Sequence, residues 1–301
     1  MEPSIKWGYV FALITSIAYS VWYIGAGALL KLGGSTVSPL FVLFMIETIS
    51  AFLVFMSSVG AGIGVGVERL SHVVYPVLSG LCFVIANYLL FVAIVTSGVP
   101  AASAFASAEI VIFTAILWFT TGSKLNGSTY ALGAFIVTIG LISVSVVTYG
   151  GAYAINFTTI GLGALIALFA GMATYFYYLS VKITENKHVT MFYMQGIEAI
   201  VFLLLLVITG GGVPTAATSL WYWPLLVGVG AALFLSFYFE TIMMKILINF
   251  RSGVVATGYI LSDLQLLPVM VYFLIVSPGS WQLYVPGLLL VTLGMALLEW
   301  K

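Results

Sequence analysis

The sequence predicts an all-α polytopic membrane protein, built from ten transmembrane helices that form a 5+5 inverted repeat. Composition predicts the class, because 62% of the 301 residues are hydrophobic and only 6% are charged. A soluble domain carries charges on about a quarter of its residues. So few charges cannot cover a water-exposed surface, and lipid is therefore the expected solvent for most of the chain. The repeat is predicted from residues that match between the two halves.

Ten apolar runs reach the length of about 20 residues that a membrane-spanning helix needs. The runs cover about 7–31, 38–60, 71–97, 100–122, 127–149, 157–181, 189–210, 219–247, 254–276 and 281–300. Proline stands at the start of several runs, where its missing N–H costs least. Lys6 precedes the first run. That run is too long for the core of a signal peptide, so we interpret it as the first helix.

The basic residues predict the orientation of the helices. With the N-terminus in the cytoplasm, eight of the nine Lys and Arg residues fall in cytoplasmic connections, and only Lys31 falls outside. Cytoplasmic loops of membrane proteins carry such an excess of Lys and Arg. We therefore expect an integral protein of a prokaryotic cell membrane with both termini in the cytoplasm.

A shift of 154 residues (263 − 109) brings Asp263 onto Glu109 and superposes two glycines of the fifth helix on two of the tenth. Each half has five helices, an odd number, so the halves must cross the membrane in opposite directions. We predict a first repeat over 1–150 and a second, inverted repeat over 151–301, in one transmembrane domain. Inverted repeats with a site at mid-depth are the architecture of secondary transporters. The glycines predict close packing on a neighbouring helix or, alternatively, on a second copy of the chain.

The stretch from Ser103 to Glu109 and Gly122, continuing to Gly133 and Gly140, resembles the drug/metabolite transporter superfamily, in its EamA-like ten-helix form. In that family a Glu-Pro step in the fourth helix is followed by a small-residue turn and a glycine-spaced fifth helix, and Ile110 stands here where the family often has proline. The resemblance implies a ten-helix bundle with cytoplasmic termini. It also implies a central cavity lined by helices 1–4 and 6–9, with helices 5 and 10 at the periphery.

Five of the nine acidic residues lie inside apolar runs, where no Lys or Arg lies at comparable depth. They are Glu47, Glu109, Glu198, Glu240 and Asp263. A charge at mid-membrane costs from about 3 to more than 10 kcal/mol, so such residues are functional candidates. At about 1.5 Å per residue, Glu47 and Glu109 lie about 12–14 Å into a core of about 30 Å. We expect the four other than Glu240 to ring the midplane, and Glu240 to lie nearer the cytoplasmic interface because Lys245 follows it closely.

Without a buried basic partner, these carboxyl groups can stay protonated, face a watery cavity, or bind a cation from outside. A proton-coupled carrier of a cationic solute uses all three states in turn. We hypothesise this role for Glu47 and Glu198 first, and for Glu109 and Asp263 next. The alternative for each residue is a protonated carboxyl group that hydrogen-bonds a neighbouring helix.

Aromatic and amide side chains complete the predicted site. Aromatic rings beside carboxylates suit ammonium or planar cations through cation–π attraction, although aromatic residues also pack helices. The candidates are Tyr19, Trp22 and Tyr23 in the first helix, Tyr177 and Tyr178 in the sixth, and Asn87, Gln195, Tyr259 and Gln265 elsewhere. Pro268 predicts a kink beside Asp263, because proline removes a backbone hydrogen bond.

The predicted function is secondary active transport of a small organic solute by alternating access, coupled to protons, with cationic or amine-bearing solutes favoured. The alternatives are a carrier of neutral or zwitterionic metabolites, such as amino acids or sugars, and a channel. We expect no enzyme, cofactor or metal site, because the two His residues lie in connections and only one Asp and one Cys are present. The expected partners are the solute, protons and the lipid bilayer, with no nucleic acid, in a monomer or homodimer.

Overall fold

The computed structural model describes residues 3–33, 37–67, 69–122, 127–149, 152–184, 186–211, 220–250, 252–276 and 281–298. The helices are α1 Pro3–Gly33, α2 Pro39–Gly60, α3 Ser71–Ser97, α4 Val99–Ser107, α5 Glu109–Thr121, α6 Gly127–Val144, α7 Phe157–Ile183, α8 Lys187–Thr209, α9 Tyr222–Leu247, α10 Ser252–Ser262, α11 Leu266–Val276 and α12 Trp281–Leu298. Within these ranges nine helical spans are long and apolar enough to cross a membrane, and Tyr284–Leu298 is apolar but shorter. The chain is therefore a polytopic membrane protein, as its composition predicts.

The fifth predicted span is shorter than expected. Its helix, α6, ends at Val144, and strand β1, Val146–Tyr149, pairs antiparallel with β2, Ala152–Ile155. The prediction that this helix continues to residue 149 is therefore wrong. A short apolar run rich in valine fits a strand as well as a helix, and here the backbone groups of the run find partners across the hairpin.

Two of the predicted spans are interrupted near their middle. The fourth consists of α4 and α5, which are separated at Ala108, and α5 begins with Glu109. The ninth consists of α10 and α11, which are separated by a 3₁₀ turn over Asp263–Gln265. The break beside Asp263 that Pro268 predicts is therefore present. Each interruption falls at one of the intramembrane carboxyl groups.

The most extensive helix contacts pair α1 with α9, α3 with α7, α2 with α8, and α6 with α12. The last pair crosses at four glycines, with Gly133 facing Gly294 and Gly140 facing Gly287. A Cβ atom on any one of them would lie 2.7 or 2.8 Å from the carbonyl oxygen of the facing glycine. The two backbones are therefore in direct contact, as small residues allow. This confirms that the glycines pack on a helix of the same chain.

Candidate functional site

A cavity of about 50 Å³ lies in the middle of the bundle. It is lined by α1, α3, α7 and α9 and by the two interrupted helices. Seven of the predicted site residues reach it: Tyr19, Trp22, Tyr23, Asn87, Glu109, Asp263 and Gln265. Among the described residues, none of α6 or α12 lines it, and none of α2 or α8 does either. The expectation that the second and seventh predicted spans, which are α2 and α8, also line the cavity is therefore wrong for this cavity, because those two helices pack against each other.

The cavity lies at mid-depth and is closed around a small volume. Tyr19, one of its lining residues, is near the middle of the 31-residue α1. A volume of about 50 Å³ holds only a few water molecules. Pockets that bury drug-sized ligands measure about 300–1,000 Å³. Binding of an organic solute would therefore require the lining helices to move apart.

Glu109 is held at the cavity by a close contact between α5 and α7. The Thr174 hydroxyl of α7 donates a hydrogen bond to Glu109 Oε1 at 3.0 Å. One turn earlier on α7 lies Gly171, where a Cβ atom would lie 2.8 Å from the Glu109 carbonyl oxygen. The small residue lets the two helices approach, which brings Thr174 within reach of the carboxyl group. Glu109 itself stays partly exposed along the cavity.

Asp263 lies where the two interrupted helices meet. Its backbone carbonyl accepts a hydrogen bond from the Ser107 hydroxyl of α4 at 3.4 Å. The Gln265 amide in turn donates to Ser107 Oγ at 3.2 Å. On the other side, the Ser20 hydroxyl of α1 donates to the Gln265 carbonyl at 3.0 Å. The 3₁₀ turn is therefore held by side-chain bonds from both neighbours, which fixes Asp263 at the cavity.

Three polar atoms of the cavity lining have no hydrogen-bond partner among the described residues. They are the indole nitrogen of Trp22, Asp263 Oδ2 and Gln265 Oε1. Buried polar side-chain atoms are normally hydrogen-bonded, and each exception needs an explanation. One donor and two acceptors among the lining residues are suited to hydrogen-bonding a polar ligand or water.

Glu240 belongs to the same site, although its sequence neighbours suggested otherwise. The Tyr19 hydroxyl donates a hydrogen bond to Glu240 Oε2 at 2.6 Å, and Glu240 is only 4% exposed. It also interacts electrostatically with Glu109 and Asp263. The prediction that Glu240 lies near the interface is therefore wrong. The prediction relied on Lys245, which follows Glu240 closely. A lysine side chain is long enough to reach polar surroundings from a backbone position deeper in the membrane, so its neighbours need not lie at the interface.

Four predicted site residues lie outside the cavity and pack the helices around it. The Tyr177 hydroxyl contacts the Thr241 hydroxyl and donates to the Phe237 carbonyl at 3.2 Å. Tyr259 donates to the Met244 sulfur at 2.8 Å. Tyr178 packs against Phe113, with ring centroids 6.2 Å apart, and Gln195 is fully buried in α8.

Eight of the lining residues were not predicted, and two of them, Phe83 and Phe237, are aromatic. Phe237 is the centre of an aromatic cluster, with its ring centroid 5.8 Å from that of Tyr19 and 5.6 Å from that of Phe83, both edge to face. In the sequence they are two of 21 phenylalanines. Only the packing of α3 and α9 singles them out.

Glu47 and Glu198 lie away from the cavity, where α2 packs against α8. Both are completely buried and interact electrostatically with each other. The Asn87 amide of α3 donates to Glu198 Oε2 at 2.9 Å. Within the described ranges, neither oxygen of Glu47 has a hydrogen-bond partner, and neither do Glu198 Oε1, Ser50 Oγ and the Gln195 amide. Asn87 is therefore the one predicted site residue that touches both the cavity and this pair.

The comparisons with known proteins show the fold and no family. No family model matches the sequence, and no curated protein matches it. A solved structure described only as "Crystal structure of protein" is similar over 95% of both chains, with a TM-score of 0.65 and 16% sequence identity. An identity this low supports a shared fold alone.

Proposed function

We propose that this chain is a secondary active transporter of a small organic solute, coupled to protons, that exposes its central cavity alternately to the two sides of the membrane. The observation that carries the proposal is a set of three carboxyl groups at the cavity. Glu109 and Asp263 line it, and Glu240 is hydrogen-bonded to the lining residue Tyr19. No Lys, Arg or His is found among the described residues that line it. An ionised carboxylate there needs a proton or a cationic solute to neutralise it.

The aromatic lining favours a cationic or amine-bearing solute. The Trp22 and Tyr23 ring centroids are 4.6 Å apart, and the Tyr19 ring lies 5.8 Å from that of Phe237. A cation within about 6 Å of such a ring centroid gains about 0.5–2 kcal/mol. An amine bound at Glu109 and Asp263 would be neutralised by them, and protons that the intramembrane carboxyl groups take up from the other side would release it. This exchange couples the solute to the proton gradient.

Membership of the drug/metabolite transporter superfamily and an inverted repeat over 1–150 and 151–301 are part of the proposal. The two helix interruptions, at Glu109 and at Asp263, fall at positions 154 residues apart (263 − 109), the shift that relates the halves. The helix contacts also support a two-fold relation between the two halves. Such a relation superposes the α1–α9 contact on the α7–α3 contact, and it exchanges the two helices within the α2–α8 contact and within the α6–α12 contact. The positive-inside pattern and the even number of proposed spans support a cytoplasmic location for both termini.

A carrier of neutral or zwitterionic metabolites is the second candidate. Asn87, Gln265 and Trp22 supply neutral hydrogen-bonding groups to the same cavity. The unpartnered indole nitrogen of Trp22 could donate to the carboxylate of an amino acid. In that case the carboxyl groups would bind only protons or the amino group of a bound amino acid.

Ligand-induced thermal stabilisation of the purified protein separates these candidates. The panel consists of choline, putrescine and tetraethylammonium as cations, alanine and phenylalanine as zwitterions, and glucose as a neutral solute. We expect the cations to raise the unfolding temperature of the parent but not of Glu109→Gln or Asp263→Asn. Glu299→Gln is the matched control, since the sequence places that carboxyl group at the end of the last span. Stabilisation by glucose or the amino acids alone would refute the preference for cations.

Transport in proteoliposomes tests the carrier itself. Liposomes preloaded with an unlabelled cation of the panel should take up the labelled cation faster than empty ones. The reason is that a carrier which exports the unlabelled cation presents its binding site to the labelled cation outside. A channel shows no such trans-stimulation. A pH gradient should then drive accumulation of the labelled cation. If none of the three cations shows trans-stimulation, the proposal of a cation carrier fails.

A further inference from the structure

The pair formed by Glu47 on α2 and Glu198 on α8 is a second carboxyl site that the central cavity does not reach. Ser50 lies three residues after Glu47, and Gln195 three residues before Glu198, so each lies on the same helix face as its carboxyl group. All four side chains are completely buried. Five of their oxygen atoms lack a hydrogen-bond partner among the described residues: Glu47 Oε1 and Oε2, Glu198 Oε1, Ser50 Oγ and Gln195 Oε1. The unpartnered donors of the cluster are the Ser50 hydroxyl and Gln195 Nε2, so the four oxygens that can only accept outnumber the two donor groups, and the cluster is suited to a further proton or a cation.

The surroundings of the pair contain no compensating charge. From α3 comes only the neutral amide of Asn87. From α9, Glu240 interacts with the cavity carboxyl groups instead. The basic side chain along the α2–α8 contact is His188, which lies in the first turn of α8 with its Nε2 3.2 Å from Ser57 Oγ. Ser57 is ten residues beyond Glu47, or about 15 Å along the helix. Within the described chain, each glutamate therefore has the other as its one acidic neighbour and no basic one.

We propose that Glu47 and Glu198 hold the coupling proton, whereas Glu109 and Asp263 contact the solute. The inference rests on the proposed function and assigns its two cargoes to separate sites. A carboxylate without a counter-ion is strongly unfavourable in these buried surroundings, so the pair keeps its protons while the α2–α8 contact stays closed. Release of a proton requires those helices to part, which is the movement that alternating access supplies.

Asn87 connects the proton pair to the solute site. Its side chain lines the cavity, and its amide donates to Glu198 Oε2 at 2.9 Å. A hydrogen bond to an ionised acceptor is about twice as strong as one to a neutral acceptor. Loss of the proton from Glu198 would therefore hold Asn87 against α8, and protonation would release it towards the cavity. The charge of the pair thus changes a group that faces the solute.

The test compares accumulation with exchange in proteoliposomes, using the labelled cation that gives trans-stimulation in the parent. For one proton per solute, a gradient of one pH unit can drive about tenfold accumulation. We expect Glu47→Gln and Glu198→Gln to accumulate no label above equilibrium while exchange between equal concentrations continues. Glu47→Asp and Glu198→Asp should restore accumulation in part. Glu109→Gln should lose exchange as well, and Glu299→Gln should behave as the parent.

An infrared spectrum of the protein without solute provides a second readout. The absorption band of protonated carboxyl groups at neutral pH should shrink in Glu47→Gln and in Glu198→Gln. A tenfold accumulation retained by both Gln variants would overturn the inference, as would an equal loss of exchange and accumulation. An unchanged infrared band would also overturn it. Absence of trans-stimulation in the parent would instead remove the proposed function, and the infrared band would still decide whether the pair holds a proton.

Discussion

The glycine crossing between α6 and α12 gives a quantitative prediction for Gly140→Ala. The added Cβ atom would lie 2.7 Å from the Gly287 carbonyl oxygen and 2.8 Å from the Val291 backbone nitrogen. Ordinary contact begins at 3.4 Å, so the helices would have to separate by about 0.7 Å (3.4 − 2.7). A gap of that size forfeits a quarter to a half of the dispersion energy of each contact. We expect a loss of about 2 kcal/mol, within the 1–3 kcal/mol typical of overpacking.

Thermal unfolding of the purified protein, followed by circular dichroism, measures this loss. At about 2–4 °C per kcal/mol, Gly140→Ala should unfold about 4–8 °C below the parent. Gly287→Ala should behave alike, because its Cβ atom would lie 2.8 Å from the Gly140 carbonyl oxygen. The matched control is Gly161→Ala on α7, where a Cβ atom meets nothing within 4 Å. That change should be neutral or stabilising by up to about 1 kcal/mol. Equal unfolding temperatures for Gly140→Ala and Gly161→Ala would refute the crossing.

Two further predictions concern the buried hydrogen bond and the orientation. Tyr19→Phe removes the donor to Glu240 and should lower the stability by about 1–3 kcal/mol, whereas Tyr88→Phe on the exposed face of α3 should not, as thermal unfolding will show. No difference between these two variants would contradict the bond. In a chain without its native cysteine, Leu220→Cys should react with an impermeant maleimide in intact cells and Leu70→Cys only after lysis, because the charge pattern puts Leu70 in the cytoplasm. The reverse labelling would invert the topology.

The apolar runs predict the helices well because a spanning helix must satisfy its backbone hydrogen bonds internally. They cannot predict interruptions that side chains from other helices stabilise. Pro268 marks the break beside Asp263, but nothing local marks the break before Glu109, where a run of small residues contains no proline. At that break α7 packs closely against α5 through Gly171, a contact that the local sequence cannot reveal.

The sequence of a single helix predicts how deep a residue lies in the membrane and which residues share a face of that helix. The candidate site could be predicted only to that extent. Tyr19, Trp22 and Tyr23 share a face by their spacing, and all three reach the cavity. Glu47 and Glu109 have similar predicted depths, yet only Glu109 faces the cavity. The difference comes from which helices pack together, and the period of a uniformly apolar helix does not reveal its inward face.

All four of the most extensive helix contacts join one half of the chain to the other. Residues before the β-hairpin contribute α1, α2, α3 and α6, and residues after it contribute their partners α9, α8, α7 and α12. Each half therefore buries its helices largely against the other half, and the hairpin mainly connects the two halves along the chain. A gene cut at that point should yield two fragments that are degraded when made singly and that reassemble when made together.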